Sequence, residues 1–339
     1  MNIFYKLLKA NRLIKNHTIK FLGVWFLHVT RKRHLYVNLD PVLLCNLKCR
    51  MCYFSDPNNP KASSEKMTTK DAERIASLIF KQTLKLQVGC GAEPTVSKNY
   101  IEIIEIAKKK YSVPLVSLTT NANLLNEKSI LRLIESGLDE ITISLHGVHK
   151  EKYEYFMQNA SYEKFLNNIR TIDKLKKEKK SATPHIRINY TVNSDNLDDI
   201  SDFYDVFGDV NITTLQVRPI REIGNSDYNN FSIDERLDDF IKIRKKLITQ
   251  SKLHNVTFLS PDLESLTSEN TDNSSSIITD SVYRYISPLV FWEKDFDWKN
   301  QTYFQYCKKR KWAKYLLKSA FTRKKKLEMS KEHLNYDVL

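Results

Sequence analysis

Apolar positions along the chain alternate between two spacings. Short β-rich runs are followed by stretches with apolar residues three and four apart, which predicts strands alternating with amphipathic helices. Residues 34–40 read as the first strand. A helix over 69–82 follows, with Ala72, Ile75, Ala76 and Ile79 on one face. The pattern repeats as strand 84–89 with helix 100–110, and strand 115–119 with a helix over 127–136 that stops at Gly137. Strand 140–145 leads to a long helix over 162–179, strand 186–192 to a short one near 197–207, and strand 214–219 to a helix over 234–249. Six such units in succession require a parallel sheet with helices outside it, because each crossover is right-handed. Six is fewer than the eight of a full TIM barrel, so the α/β fold expected is a partial (β/α)6 TIM-like barrel. It would carry a basic N-terminal helix and a C-terminal extension. The domains expected are a basic amphipathic segment over 1–33, the core barrel over 34–255, and an extension over 256–339. That extension holds a polar linker at 267–281, an aromatic-rich segment and a basic tail.

Charge sharpens this division. The 339 residues carry a formal net charge of +14. Residues 1–35 hold eight bases and no acid, and residues 308–326 hold ten and no acid. Setting these 18 aside leaves −4 for the rest of the chain. The excess positive charge therefore belongs to the ends. Residues 2–15 place Ile3, Leu7, Ala10 and Ile14 along one helical stripe, with Lys6, Lys9, Arg12 and Lys15 around the other side. Such a helix either caps the barrel or anchors the chain peripherally on an anionic membrane. The C-terminal bases interleave with Trp312, Tyr315 and Phe321, which would also suit nucleic acid. No apolar run approaches the ~20 residues of a membrane-spanning helix, and the run at 21–29 lacks a signal-peptide flank. Five cysteines are too few for a disulfide framework, and three of them lie within eight positions, which points to metal chemistry in a reducing compartment. The expected location is cytoplasmic; the anchoring reading would add association at a membrane surface through the basic ends.

Those three, Cys45, Cys49 and Cys52, follow the first strand at a Cys-x3-Cys-x2-Cys spacing. Loops after the strands form the active-site face of an α/β barrel. Three thiolates on one loop can hold three irons of a [4Fe–4S] cluster and leave the fourth iron open. The competing reading is a zinc knuckle, which needs a fourth ligand; His34 lies at the wrong end of the strand. Three further loops occupy the same face. Gly91-Ala92-Glu93-Pro94 closes the second strand, Thr119-Thr120-Asn121-Ala122 the third, and Ser144-Leu145-His146-Gly147 the fourth.

In this order, over residues 34–220, the motifs resemble the radical S-adenosylmethionine (radical SAM) superfamily. The resemblance implies that Cys45, Cys49 and Cys52 ligate a [4Fe–4S] cluster whose open iron binds S-adenosyl-L-methionine. It also implies that Gly91, Ala92, Glu93 and Pro94 hold the cofactor's amino group, as a Gly-Gly-Glu-Pro loop does. Asn121 would lie in a Thr-Asn-Gly-like turn, Ser144 would contact the carboxylate or ribose, and Met51 would edge the adenine. Two departures stand out. Ala92 replaces the second glycine, and residues 153–158 lack an arginine that some members place there. The cofactor carboxylate is then left to Arg187 or to neutral donors.

Arg187 and Asn189 on the fifth strand, and Gln216 and Arg218 on the sixth, are polar groups on otherwise apolar strands, and alternation sends them to the cavity or to the outside. No residue is identified as a substrate-side acid or base. Cys90 faces the cofactor cavity or the core and reads as a small buried packing residue; Cys307 also reads as packing, since one thiol beyond residue 90 cannot hold an auxiliary cluster. The implied reaction is reductive cleavage to a 5′-deoxyadenosyl radical that takes hydrogen from a small molecule, a peptide or a surface-sugar precursor. A flavodoxin- or ferredoxin-type donor would supply the electron. The alternative is a non-catalytic zinc- or cluster-bearing protein that docks on membrane or nucleic acid through its basic ends.

Overall fold

In a computed structural model, which describes residues 14, 16–56, 63–220, 226, 228, 233–261 and 281–322, eight strands form a single sheet. They are β1 Leu35–Leu39, β2 Thr83–Val88, β3 Leu115–Thr120, β4 Glu140–Leu145, β5 His185–Val192, β6 Thr214–Pro219, β7 Thr257–Leu259 and β8 Tyr283–Ile286. Their order is β7-β6-β5-β4-β3-β2-β1-β8, and every pairing is parallel. The six predicted strand–helix units supply β1 to β6, giving the α/β sheet of a partial TIM-like barrel. β7 and β8 extend the sheet at both edges. Both lie beyond the expected boundary at residue 255, and β8 sets Tyr283 beside Tyr36 and Ile286 beside Leu39.

The helices are α1 His17–Val29, α2 Thr69–Ile79, α3 Tyr100–Glu105, α4 Glu127–Glu135, α5 Lys150–Phe156, α6 Tyr162–Glu178, α7 Phe203–Phe207, α8 Leu237–Leu253, α9 Tyr303–Lys309 and α10 Trp312–Phe321. Local chemistry sets their ends. Thr68 and Asp71 cap each other's backbone at the start of α2, and Asn126 and Ser129 do so at α4. Beyond α4, Gly137 takes φ +79°, the left-handed conformation in which glycine ends helices at least strain. α3 continues into a wider π-type turn over Ile106–Lys110. The predicted helix at 2–15, the linker at 267–281 and the bases at 323–326 lie outside the described residues, apart from Ile14 and Ser281. No helix among the described residues is long and apolar enough to cross a membrane.

The strands treat their two faces differently. Leu35, Val37, Leu39, Leu86, Val88, Val116, Leu118, Ile141, Ile143, Leu145, Ile186, Ile188, Tyr190 and Val192 all join one buried apolar core. Each such side chain contributes about 1.5–3 kcal/mol by leaving water. The alternate positions include Asn38, Lys85, Ser117, Glu140, Thr142, Asn189 and Gln216. They are polar, yet most are buried. Alternation thus separates a helix-covered apolar face from a polar inner face, and burying that inner face is unfavourable without partners.

Candidate active site

Loops from the C-terminal ends of β1 to β5 meet at one mouth. The cysteine loop is braced from two sides. Lys48–Cys49 pairs antiparallel with Met157–Gln158 just past α5, and Arg50 donates to Tyr155 O at 3.0 Å while lying 4.3 Å from its ring. On the other side, Glu93 N donates to Leu44 O at 3.0 Å, and Asn121 Nδ2 donates to Asn46 Oδ1 at 2.9 Å. Asn121 Nδ2 also lies 4.0 Å from Cys45 Sγ, which accepts from Leu47 N at 3.4 Å. The segment at 153–158 that lacks the expected arginine is therefore the brace of the loop.

The three thiols sit close enough to act on one another. Burial holds the Cys49 thiol well above its ordinary value, and Cys52 and Cys45 push it the same way. Binding a cationic cluster as thiolates would relieve that repulsion and release the protons. Among the described residues, no group of three or more His, Cys, Asp or Glu is arranged to hold a single metal ion. The donor set, three soft sulfurs on one loop, suits iron in a cluster.

Glu93 is buried, and both its oxygens are occupied. Oε1 accepts from Thr95 N, Thr95 Oγ1 at 2.5 Å and Thr120 Oγ1 at 2.7 Å, while Oε2 accepts from Asn121 N at 2.7 Å. The carboxylate ties the β2 turn to the β3 turn, so an ammonium group would meet a carboxylate already carrying four hydrogen bonds. Gly89 lets the β2 turn pass close to β3: its φ is +83°, and a Cβ there would lie 2.5 Å from Thr119 O and 2.7 Å from Pro94 Cγ. The backbone of Gly91 and Ala92 is fixed by Asp40 at the end of β1, whose carboxylate accepts Cys90 N at 2.7 Å and Gly91 N at 3.1 Å.

Met51 lies under the loop after β5, where Asn193 Nδ2 approaches its sulfur at 2.7 Å. Ser144 stands near the end of β4 beside Asn189. Arg187 sits deeper, on the N-terminal half of β5, and is engaged by Asn189 Oδ1 at 3.1 Å, by Gln216 and by Glu140 at 4.0 Å. Cys45, Gly91, Ala92, Glu93, Pro94 and Asn121 thus gather around one turn-and-loop junction, and Arg187 belongs to a separate network on the inner face. That network includes Lys85, which burial pushes down to about 8 against the pull of Glu140. Three buried inner-face or mouth atoms, Asn38 Oδ1, Ser117 Oγ and His146 Nδ1, have no hydrogen-bond partner. Burial, then Arg218, lowers His146 to about 4, so it is neutral at neutral pH. A polar lining with orphaned atoms is what a ligand cavity presents.

Asp40, Asn46, Asn123, Tyr153 and Asn193 were not singled out from the sequence. Asn123 donates to Tyr153 OH at 2.7 Å and so locks α5, with the brace that follows it, to the β3 turn. The one sequence signal available for such residues was position, since Asp40 and Asn193 follow directly on a strand and Asn123 lies three residues past the end of β3.

A family model described as the radical SAM superfamily matches residues 41–207. The chain is similar to a GTP 3′,8-cyclase of Peptoclostridium acidaminophilum, with 26% identity over 56% of this chain and 57% of that protein. It is also similar to a probable GTP 3′,8-cyclase of Methanocaldococcus jannaschii, with 29% identity over 60% and 69%. The chain thus spans little more than half of the former relative. Among solved structures, Streptococcus suis SuiB bound to S-adenosylmethionine shares the fold, with a TM-score of 0.58 and 16% identity over 81% of this chain and 64% of SuiB.

Proposed function

The chain belongs to the radical SAM superfamily, whose cofactors are a [4Fe–4S] cluster and S-adenosylmethionine, and from that premise we propose that it removes a hydrogen atom from a substrate held inside the barrel. The observation that carries this reading is the junction of Cys45, Cys49 and Cys52 with the turn at Gly91–Pro94, at the C-terminal mouth of a parallel sheet. When bound, the cluster and cofactor supply one-electron cleavage of a C–S bond to a 5′-deoxyadenosyl radical. The chain's own residues do the rest. Cys45, Cys49 and Cys52 would hold the cluster, and Leu47 N and Asn121 sit beside Cys45 Sγ. Gly91, Ala92 and Pro94 would present backbone to the cofactor's amino group, with Glu93 and Asp40 fixing the turn. Met51 and Ser144 flank the same mouth, and a neutral-donor contact to the carboxylate is favoured because Arg187 is already engaged. The helix-covered face keeps water from the sheet.

The substrate is proposed to be a polar small molecule. Supporting this are the buried Lys85, Glu140, Asn38 and Gln216 on the inner face and the cyclases among the relatives, which makes GTP the first compound to test. The electron would come from a flavodoxin- or ferredoxin-type protein, and peripheral contact with a membrane would be made through the basic ends. Anaerobic reconstitution with iron and sulfide, followed by dithionite and S-adenosylmethionine, tests the reading. Wild-type protein should release 5′-deoxyadenosine and Cys49→Ala should release none. Equal release from both would refute it.

A further inference from the structure

α1 is apolar on the side that faces water. Ile19 is 56% exposed, Phe26 58% and Val29 43%. With Gly23, also exposed, they lie three or four residues apart and form one stripe. The opposite side is buried, with Phe21 packed on Leu316 and Ala320 of α10. The two helices run antiparallel, since His17 Nε2 at the start of α1 lies 3.0 Å from Thr322 O just after α10. α10 adds its own exposed apolar groups, with Leu317 at 37% and Phe321 at 72%. The outward face of α6 shows the ordinary alternative: Glu163, Lys164, Arg170, Lys174 and Lys177. Among the described residues this helix is apolar on both sides and covered on only one, which marks the open side as a surface for a partner.

The charge around the stripe says which partner fits. Lys32 just beyond α1, Lys311 at the start of α10, and Lys314 and Lys318 on α10 are exposed, and residues 1–35 and 308–326 contain no acid. A groove of about 680 Å³ between the end of α1, α2 and α9 is lined by Arg31, Arg74, Lys81 and Lys308, again with no acid. A second copy of the chain would bring these lysine rims against each other, and like charges repel. An anionic lipid surface offers the opposite charge above an apolar layer, which is what an interfacial helix with a basic rim engages. α1 has 13 residues, too few to span a bilayer and enough to lie along its surface.

We propose that α1 and α10 together form an interfacial docking surface for an anionic phospholipid membrane. Ile19, Phe26, Val29 and Phe321 enter the headgroup boundary, and the lysine rim and the basic groove take lipid phosphates. α1 runs into the N-terminal end of β1, the end away from Cys45, so docking leaves the site mouth accessible. The surface is separate from the cysteine loop and stands independently of the cofactor chemistry.

Co-sedimentation of the full chain with phosphatidylglycerol–phosphatidylcholine vesicles, compared with phosphatidylcholine alone, tests it. Binding should require the anionic lipid and fall with added salt. Ile19→Glu/Phe26→Glu, two exposed positions, should weaken binding at least about tenfold while circular dichroism and iron uptake stay as in wild type. Lys314→Glu/Lys318→Glu should weaken it by a similar factor. Wild-type protein that ignores anionic vesicles, or an Ile19→Glu/Phe26→Glu variant that sediments like wild type, would overturn the proposal. A wild-type dimer that the same double variant converts to monomer, without vesicle binding, would assign the stripe to a second copy instead. Deletion of residues 1–13 should leave binding largely in place; loss of all binding on deletion would move the anchor to that segment and also overturn it.

Discussion

Tyr285 donates a 2.8 Å hydrogen bond to Asp40, joining residues 245 positions apart at the mouth of the sheet. Through the other bonds of Asp40, the last strand thereby fixes the turn that carries Gly91 to Pro94. Removing the hydroxyl leaves a buried carboxylate short of a donor. Tyr285→Phe should lose about 1–3 kcal/mol of stability and bind S-adenosylmethionine several-fold more weakly, with iron content unchanged. Thermal melts and equilibrium dialysis check both; unchanged affinity would remove β8 from the cofactor site.

The same carboxylate gives a pH signature. Burial pushes Asp40 from 3.8 up to about 6, against the bonds from Tyr285, Gly91 and Cys90. Between those values the folded chain keeps a proton that the unfolded chain has lost. Asp40's contribution to stability therefore declines as pH rises from about 4 to 6 and is level above that. Asp40→Asn cannot titrate, so the stability of wild type relative to the variant should increase as pH falls from 6 to 4. A gap independent of pH would contradict this assignment.

Gly89 is the second fixed point of the turn. A side chain there meets Thr119 O and Pro94 at under 3 Å, in a backbone conformation with positive φ. Gly89→Ala should cost more than about 2 kcal/mol and reduce cluster retention, because β2 and β3 can no longer close on each other. Melting temperature and iron content measure it.

Much of this fold was legible as periodicity. β1 to β6 and their helices carry long alternating or amphipathic patterns, and the cysteine spacing with the Gly91–Pro94 turn marks the mouth. β7 and β8 are three and four residues long, too short for a period to register. β8 follows a Ser/Asn/Thr-rich stretch and is a strand because β1 has an open edge, which is a long-range fact. Arg284 on β8 is fully buried against Trp292 at 3.6 Å, with Tyr303 OH accepting from its guanidinium. A buried arginine reads from sequence as a surface residue. The role of Asp40 was hidden for the same reason, since its partners lie in the turn after β2 and on β8. Glu93 was visible as part of a motif, but the four bonds that occupy its carboxylate depend on how two turns meet.

Cys90 provides the control for the proposed ligand set. Its sulfur accepts from Asn38 Nδ2 at 3.0 Å on the inner face. Cys90→Ala should keep the iron content of wild type, whereas Cys45→Ala, Cys49→Ala and Cys52→Ala should each lose most of it. Loss of iron from Cys90→Ala alone would redraw the ligand set.

The central claim is that three cysteines on one loop hold an iron–sulfur cluster that works on S-adenosylmethionine. Metal analysis of anaerobically prepared protein, combined with assay of 5′-deoxyadenosine in the same sample, tests it most directly. About four irons per chain, with 5′-deoxyadenosine formed only when dithionite and S-adenosylmethionine are both present, is the result expected. One zinc per chain, no iron and no 5′-deoxyadenosine would contradict it.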